Sequence, residues 1–412
     1  MSLVRTSVSP RATLAFLVTT AFLGSLGIGL ANPVVPFLAA RFVSEQDLAL
    51  AVGVLSMSYA GAAFLAAPAL GALSDRFGRR PILILSVLGS AVGYLCFGVA
   101  HAAWLLVLGR LIDGITAGNF SAVFASLSDT SKPEDRGRVF GYIGASFGSG
   151  FIVGPAIGGL LSRFGLSAPF YFAAGLCATN ALFGYFFMPE TRPGQVEHEP
   201  LVIARLNPFT QLRELLALPT LRPLLVTSVL FALPFAMMTT LLALLTKDAL
   251  DWSATRASTV FVAVGVSDIC VQGFVLGRLI KAFGERRAAL GGLVLATCGI
   301  AGMALTNVWP SSLLLLPAVI AFAVGEGIFT ACLSALLSMA AGPEAQGRIH
   351  GGSQGLQSLT QMVGPILGGV LYARVGGGAP FALGAVLLLL TIGLFFRATR
   401  EAAPIGFRSV LD

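Results

Sequence analysis

Long apolar segments recur along the whole chain, and they constrain its fold more than any other feature of the sequence. Each segment is about 18 residues or longer, which allows one helix to cross a hydrocarbon layer roughly 30 Å thick. Inside lipid, a helix satisfies its backbone polar groups within a single segment, so each segment predicts a transmembrane helix. We count twelve and number them as spans 1 to 12 in chain order: 14–38, 48–73, 82–101, 103–128, 139–161, 168–188, 223–246, 257–277, 288–306, 311–338, 351–373 and 379–396.

The basic residues are divided unequally between the two sides of the predicted membrane. With the loops assigned alternately to two sides, 20 of the 26 Lys and Arg residues lie on the side of the N-terminus, five lie on the other side, and Arg110 lies inside a span. The positive-inside rule therefore predicts that both termini are cytoplasmic. This topology explains the net charge of +7 without a nucleic-acid partner. We expect a monomeric integral protein of a bacterial cytoplasmic (inner) membrane, surrounded by the lipid bilayer.

The second half of the chain repeats motifs of the first half at an almost constant offset. The offsets of 206 to 210 residues are half the chain length, which indicates a duplicated unit of six spans. The predicted domains are an N-terminal bundle at 1–188, a cytoplasmic linker at 189–222 and a C-terminal bundle at 223–412. The repeated motifs are LVTTAFL at 17 with LVTSVLF at 225, GALSDRFGRRP at 71 with GRLIKAFGERR at 277, RGRVFGYIG at 136 with QGRIHGGSQ at 346, and GPAIGGLL at 154 with GPILGGVL at 364.

Several motifs resemble those of the major facilitator superfamily, over nearly the full chain. They are GALSDRFGRRP (71–81), similar to its cytoplasmic motif between helices two and three, LVLGRLIDG (106–114), similar to its helix-four motif, and GFIVGPAIGGLL (150–161), similar to a motif of drug/proton antiporters. With GIGLANPVVP (27–36), the chain resembles the tetracycline-exporter-like group. The resemblance implies an all-α membrane protein of twelve transmembrane helices in two pseudo-symmetric six-helix bundles, with a substrate site between them at mid-membrane.

The segment 71–81 concentrates charge in a chain in which 11% of the residues are charged. Gly71 would allow two helices to approach closely, and Asp75 would lie at a helix end, where a carboxylate can meet the N-terminal dipole of another helix. The resemblance implies that Asp75 meets the start of span 11, near His350 and Gly351. Alternatively, the segment is only a positive-inside anchor.

The resemblance also implies a cytoplasmic latch in which Arg79 pairs with Asp129. A network of ion pairs at a closing interface can bias two states that differ by a few kcal/mol. The glycines of span 5 permit close helix contact, and their context implies a bend where spans 5 and 8 meet, although generic packing is the alternative. The residues assigned to gating are Gly71, Asp75, Arg76, Arg79, Asp129, Gly154 and Pro155.

Four charged residues lie inside predicted spans, where each is costly unless it faces a bundle interior or water. Arg110 and Asp113 share one helix face in span 4, so they can pair, either as a proton-exchanging site or as a static ion pair. Glu326 in span 10 has no charged neighbour at helical spacing, which favours a group that takes a proton or meets a cationic substrate. Asp268 in span 8 has Gln272 four residues on, so a proton-coupling role and a structural role are both open.

Polar side chains inside other spans are candidates for lining an aqueous cavity or for bridging helices. Asn32 and Asn119 lie in spans 1 and 4, and Gln354, Gln357 and Gln361 form one stripe along span 11. We assign Glu326, Asn32, Asn119, Gln357 and Gln361 to substrate binding. We assign Asp113, Arg110 and Asp268 to proton coupling.

The chain also departs from the family that it resembles. Tetracycline antiporters carry acidic residues in helices one, three and nine, where this chain has Gly24, Gly93 and the uncharged pair Leu295 and Ala296. The departure argues against tetracycline itself as the substrate and leaves Asp113, Glu326 or Asp268 to couple protons.

We therefore expect a secondary transporter that exports small amphipathic or cationic compounds by alternating access, driven by protons. An importer or uncoupled facilitator of a small metabolite or sugar is the first alternative, and a non-transporting membrane sensor is the second. No Walker loop, HExxH motif or clustered set of His and Cys residues is present, so the sequence predicts no enzyme, cofactor or metal site. All five cysteines lie in apolar spans without CxxC spacing, which favours buried thiols.

Overall fold

The computed structural model of the protein describes residues 10–117, 119–131, 136–191, 209, 221–341 and 346–401. Over these ranges the regular structure is helical. The α-helices are α1 (Pro10–Ala39), α2 (Glu45–Phe77), α3 (Arg79–Gly98), α4 (Ala103–Ala117), α5 (Phe120–Thr130), α6 (Arg136–Leu161), α7 (Ala168–Phe187), α8 (Arg222–Leu250), α9 (Ala254–Cys270), α10 (Leu276–Thr306), α11 (Ser312–Ala341), α12 (Gln346–Arg374) and α13 (Ala379–Glu401). A π-helical turn (Val271–Val275) joins α9 to α10, and a 3-10 turn (Ser162–Phe164) follows α6.

The helices agree with the predicted membrane spans. In the described part of the chain, nine helical segments are long and apolar enough to cross a membrane. One of these, Ala254–Thr306, has 53 residues and is interrupted at Gly284, so its length is that of two spans. Span 4 is divided into α4 and α5, of 15 and 11 residues, because the helix ends at Ala117 and a new one starts at Phe120. Twelve spans are consistent with this arrangement.

The two halves of the sequence repeat also share their backbone breaks. Gly78, between α2 and α3, has φ 98° and ψ 157°, and Gly284, 206 residues later, has φ 73° and ψ 162°. A positive φ is accessible to glycine at low cost, which explains why both repeats place glycine at this point. Each break ends one span and turns the chain into the next.

An arginine two residues after each break is held in the same way. The Arg80 guanidinium donates a hydrogen bond to the carbonyl oxygen of Tyr185 and lies 5.8 Å from the centre of its ring. Arg286 donates to the carbonyl oxygen of Phe396 at 3.4 Å and lies 5.1 Å from that ring. In both halves an arginine thus fastens the third span of the repeat to the sixth by a hydrogen bond and a cation–π contact.

The chain divides into two compact units, which are described separately. The first comprises Met1–Ala31 and Gly61–Asn207, and the second comprises Asn32–Ala60 and Pro208–Asp412. The adjoining parts of α1 and α2 belong to the second unit because α2 packs closely on α12. A Cβ placed on Gly53 would lie 2.6 Å from the Pro365 carbonyl oxygen, and one on Gly369 would lie 2.6 Å from that of Ala49. The predicted domain boundaries at 188 and 223 remain a prediction.

The glycine stripe of α6 packs against α1 within the first unit. A Cβ on Gly154 would lie 2.5 Å from the Leu26 carbonyl oxygen, and one on Gly158 would lie 2.9 Å from that of Leu30. Pro155 contacts the same helix, since a Cβ on Gly29 would lie 3.0 Å from its Cδ. Span 1 thus takes up the space that these glycines leave, and the expected bend where spans 5 and 8 meet stays a prediction.

We expect Gly154→Ala to destabilise the protein by about 1–3 kcal/mol, the usual cost of an added methyl group that has no space. The methyl group would meet the backbone of α1, which cannot rotate away as a side chain can. Gly148→Ala is the matched control, because it lies on the same helix and a Cβ there meets nothing within 4 Å. Thermal unfolding in detergent measures both variants. Equal melting temperatures would show that the helices separate at no cost.

Candidate functional site

Asp113 lies inside the first unit, where α4 crosses α3 at two glycines. A Cβ on Gly109 would lie 2.7 Å from the Gly93 carbonyl oxygen, and one on Gly93 would lie 2.9 Å from Asp113 Cβ. The absence of a side chain at Gly93 therefore provides the space that Asp113 occupies. Asp113 is 4% exposed and Arg110 is 7% exposed, so α4 buries two charged side chains in an apolar interior.

The Asp113 carboxylate has both charged and neutral partners. The positive charge of Arg110 acts on it, and the hydroxyl groups of Ser90 and Tyr94 on α3 lie close to it. Arg110 also stacks over Phe97, 5.0 Å from the ring centre. The predicted association of Arg110 with Asp113 is present, and the hydroxyl partners from α3 were not predicted.

Glycines of the neighbouring helices position these hydroxyl groups. A Cβ on Gly27 of α1 would overlap the Tyr94 ring, so this glycine leaves room for the tyrosine to reach Asp113. The Ser90 hydroxyl lies 3.3 Å from that of Thr116, which also donates to the carbonyl oxygens of its own helix at 3.0 Å. The carboxylate is thus fixed by small residues of α1 and α3 and by polar residues of α3 and α4.

Asp268 and Glu326 face each other across the contact between α9 and α11 in the second unit. Their carboxyl groups lie close enough to interact with each other. A Cβ on Gly327 would lie 3.0 Å from Asp268 Oδ1, so this glycine admits the aspartate to the surface of α11. Each acid is 14 residues from the first residue of its helix, Ala254 or Ser312, which places both at one level, about 21 Å along.

A proton is needed to satisfy this carboxyl pair. Asp268 Oδ1 is buried and has no hydrogen-bond donor among the described residues. Thr330 donates to Glu326 Oε1 at 3.4 Å, and it also donates to the Glu326 carbonyl oxygen at 2.9 Å. Two ionised carboxylates accept hydrogen bonds but donate none, and they repel each other. A hydrogen bond between Asp268 and Glu326 therefore requires a proton on one of them.

The sequence interpretation of these two acids needs correction. Glu326 is not isolated, since Asp268 of another span lies beside it. Gln272 does not satisfy Asp268, because Gln272 is exposed and lies in the π-helical turn, where the spacing of four residues no longer keeps one face. Contacts between spans, and a local change in helical period, are not visible in the spacing of residues along a single helix.

Arg79 forms the predicted ion-pair network at the start of α3. Its guanidinium donates to the Asp75 carboxylate, to Asp129 Oδ2 at 3.3 Å and to Ser74 Oγ at 3.2 Å. The Arg79 side chain is 12% exposed, and that of Asp75 is 61% exposed. The pairing with Asp129 is confirmed, while the predicted meeting of Asp75 with residues near His350 lies outside the side chains that the structure describes.

Glu190 adds a carboxylate to the same helix end, and the sequence interpretation missed it. Glu190 Oε1 accepts a hydrogen bond from the Arg79 backbone N–H at 2.8 Å, and Oε2 accepts one from the Arg80 N–H at 3.2 Å. A carboxylate at a helix N-terminus satisfies free N–H groups and favours the helix dipole. A Cβ on Gly78 would lie 2.8 Å from the Glu190 carboxyl carbon, so this glycine is required for the contact as well as for the turn.

The other residues that were predicted for gating and substrate binding lie on several different helices. Asn32 and Gly71 are half-buried on α1 and α2, and Arg76 stacks on Phe77 at 5.4 Å. Asn119 is half-buried at the break between α4 and α5, where its carbonyl oxygen accepts from the Val123 N–H at 3.0 Å. Gln357 and Gln361 are exposed on α12, and the Gln354 side chain lies outside the description.

Comparison with known proteins decides the family. The model of the Major Facilitator Superfamily matches residues 17–356 and 270–410. The chain belongs to the major facilitator superfamily.

Similar proteins include bacterial resistance proteins and solved transporters. The tetracycline resistance protein of class C from Escherichia coli is 35% identical over 389 residues, which cover 92% of this chain and 96% of that protein. Multidrug resistance protein 2 of Bacillus subtilis (strain 168) is 25% identical, with coverage of 92% and 93%. The crystal structure of the human organic anion transporter MFSD10 matches with a TM-score of 0.69 and 23% identity, covering 94% of this chain and 99% of that one. A bacterial homologue of the human lysosomal transporter Spinster gives a TM-score of 0.73 at 17% identity, with coverage of 95% and 97%.

These matches confirm the expected fold and class. The protein has the major facilitator fold and is an integral membrane protein, and as a member of this superfamily it is a secondary transporter and not an enzyme. The similarity to drug-resistance members extends over more than nine-tenths of the chain.

Proposed function

We propose that this superfamily member exports small amphipathic or cationic compounds in exchange for protons. Its relatives named for tetracycline resistance and for multidrug resistance support export of drug-like molecules over uptake of a nutrient. Tetracycline belongs among the compounds to test, although Gly24 and Gly93 stand where the tetracycline exporters are expected to carry acids. Both termini are cytoplasmic in this proposal, and the protein acts as a monomer in a bacterial inner membrane.

The carboxyl pair of Asp268 and Glu326 is the observation that carries the proposal. Every other Asp, Glu, Lys and Arg of the second half lies outside the apolar spans at 223–246, 257–277, 288–306, 311–338, 351–373 and 379–396. The pair therefore has no basic residue of these spans to neutralise it. In a medium of low dielectric constant it must take a proton or a cation from solution. A site that accepts either one suits the exchange of protons for cationic compounds.

Asp113 provides a second ionisable site of a different kind. Because Arg110 supplies a positive charge beside it, Asp113 can release a proton without leaving an isolated buried charge. We assign proton exchange to Asp113 and recognition of cationic substrates to Glu326 with Asp268. The backbone is irregular close to the carboxyl pair, at the π-helical turn, and such irregularities often mark functional positions in membrane helices.

Transport by the purified protein in proteoliposomes tests the proposal. An imposed pH gradient should drive tetracycline or tetraphenylphosphonium against its own gradient, in the direction opposite to proton flow. A protonophore should abolish the accumulation, because it removes the driving force. Movement in the same direction as protons would favour an importer, and equilibration that ignores the gradient would favour a facilitator. Either result would contradict the proposal.

A further inference from the structure

Two polar side-chain atoms in the interior of the first unit have no hydrogen-bond partner among the described residues. They are Ser86 Oγ on α3 and Asn180 Oδ1 on α7, and the two residues are 2% and 4% exposed. Asn180 Nδ2 donates to Thr20 Oγ1 of α1 at 2.9 Å, and turning the amide over would still leave one of its atoms unpaired. A buried polar atom without a partner is costly, and in proteins such atoms are commonly satisfied by a buried water molecule.

The register of α3 and α7 places Ser86 and Asn180 at about one level along the two helices. These helices run antiparallel, since Arg80 contacts Tyr185 at one end and a Cβ on Gly98 would lie 2.6 Å from Tyr171 Cε1 at the other. The two contacts are 18 residues apart on α3, from Arg80 to Gly98, and 14 residues apart on α7, from Tyr171 to Tyr185. Ser86 is six residues beyond Arg80 on α3, which corresponds to about five residues on α7 at the same proportion. Counted back from Tyr185, this level on α7 is that of Asn180.

A polar stripe connects this level with Asp113. Ser86, Ser90 and Tyr94 are spaced four residues apart on α3, so they share one face. Ser90 and Tyr94 lie close to the Asp113 carboxylate. One helical turn, about 6 Å, separates Ser86 from Ser90, a distance that one water molecule spans with two hydrogen bonds.

We propose that Ser86 and Asn180 hold water between α1, α3 and α7, and that this water carries protons between Asp113 and the Arg79 end of α3. The Asp113 carboxyl group gives its proton to the Ser90 oxygen and becomes a carboxylate, while the Ser90 hydroxyl releases its own proton to this water. The water passes a proton on to solvent at the Arg79 end, so Ser90 and the water are unchanged after each transfer. Ser86 and Asn180 are positioning residues, because they hold the water and do not touch the substrate. The inference rests on the proposed role of Asp113 in proton exchange.

The charged and titratable groups around the route fit its direction. Within the packed parts of α1, α3, α4 and α7, they are Arg110, Asp113, Tyr94, Cys96, Tyr171, Cys177 and Tyr185. At the Arg79 end they are Asp75, Arg79, Arg80, Asp129 and Glu190. The positive-inside pattern predicts that this end is cytoplasmic. The route would therefore release protons on the side to which an exporter must deliver them.

The test compares proton-driven transport with substrate counterflow in proteoliposomes. Ser86→Ala and Asn180→Leu should each slow proton-driven accumulation by about five- to tenfold and increase its solvent deuterium isotope effect. Counterflow, which exchanges substrate without net proton transfer, should change by less than twofold. Ser126→Ala is the matched control, because Ser126 is fully buried in the same unit but donates to the Ala122 carbonyl oxygen of its own helix at 2.8 Å.

Three outcomes would overturn the route. If Ser86→Ala raised the melting temperature and left coupling unchanged, Ser86 would not bind a water molecule. The two residues would be structural if counterflow and coupled transport fell equally. If Asp113→Asn abolished coupling while Ser86→Ala and Asn180→Leu both kept it, protons would reach Asp113 by a different route. Coupling that survived Asp113→Asn would instead contradict the proposed role of Asp113.

Discussion

Asp113→Asn should abolish proton-driven accumulation, by a factor of 100 or more, and leave energy-independent counterflow in place. The amide has the size of the carboxyl group, so it fits the space beside Gly93 and can still accept hydrogen bonds from Ser90 and Tyr94. An amide does not exchange a proton at neutral pH, so only the coupled mode should be lost. Accumulation under an imposed pH gradient and counterflow at equal pH, measured on one preparation, give the two values.

The alternative that Asp113 only neutralises Arg110 can be tested directly. Asp113→Asn leaves a buried guanidinium group without its counter-charge, which commonly costs about 3–5 kcal/mol of stability. The double variant Arg110→Gln with Asp113→Asn removes both charges and should recover much of that stability. If Asp113 were only a structural partner, the double variant would also recover coupled transport. We expect it to recover the fold and to remain uncoupled.

The fold was predictable because its main determinants are local. A run of apolar residues predicts a spanning helix wherever it occurs, and the repeat predicts that Gly78 and Gly284 end equivalent spans, as their matching dihedral angles confirm. The break of span 4 near Asn119 was not predicted, since the sequence on either side remains apolar. The hydropathy of a segment predicts whether it lies in lipid or in water, but it does not predict whether its helix is continuous.

The candidate site was predictable residue by residue but not in its arrangement. The rarity of charge in lipid identified all four charged residues inside the spans, yet it could not show that Asp268 and Glu326 meet, because they are 58 residues apart on different helices. Glu190 was missed for a related reason. Its partners are the backbone N–H groups at the start of α3. Almost every residue has such a group, so the sequence does not indicate which ones bind a carboxylate.

Removing both carboxyl groups of the pair, by Asp268→Asn with Glu326→Gln, should weaken the binding of permanent organic cations by at least tenfold. A factor of ten corresponds to about 1.4 kcal/mol, a modest value for losing a charge partner away from bulk water. The affinity for a neutral compound of similar shape should change by less than twofold. Tetraphenylphosphonium and triphenylphosphine oxide form such a pair of probes, and their dissociation constants can be measured with the purified protein in detergent.

Proton release upon binding distinguishes a shared proton from a mere negative patch. In a weakly buffered solution, tetraphenylphosphonium should displace about one proton from the unsubstituted protein and none from the double variant, because the cation replaces the proton that the two carboxyl groups share. Glu285→Gln is the matched control, since it removes a negative charge of the same unit at the start of a span, where the charge acts on Cys332, six residues beyond Glu326.

Two results would place the cation site in the first unit. One is cation binding that survives in the double variant. The other is proton release that is lost in Asp113→Asn but persists in the double variant. The role of Asp268 and Glu326 would then be structural. Two features of the pair argue against that result. A static pair of acids without a basic partner gains nothing from burial, whereas an apolar replacement of similar size would stabilise the contact between α9 and α11. Glu326 lies at the middle of α11, and Asp268 lies two residues before the end of α9, where the π-helical turn begins. The pair is thus within the apolar part of both spans, beside a glycine that admits Asp268, which is where an exchangeable cation is useful.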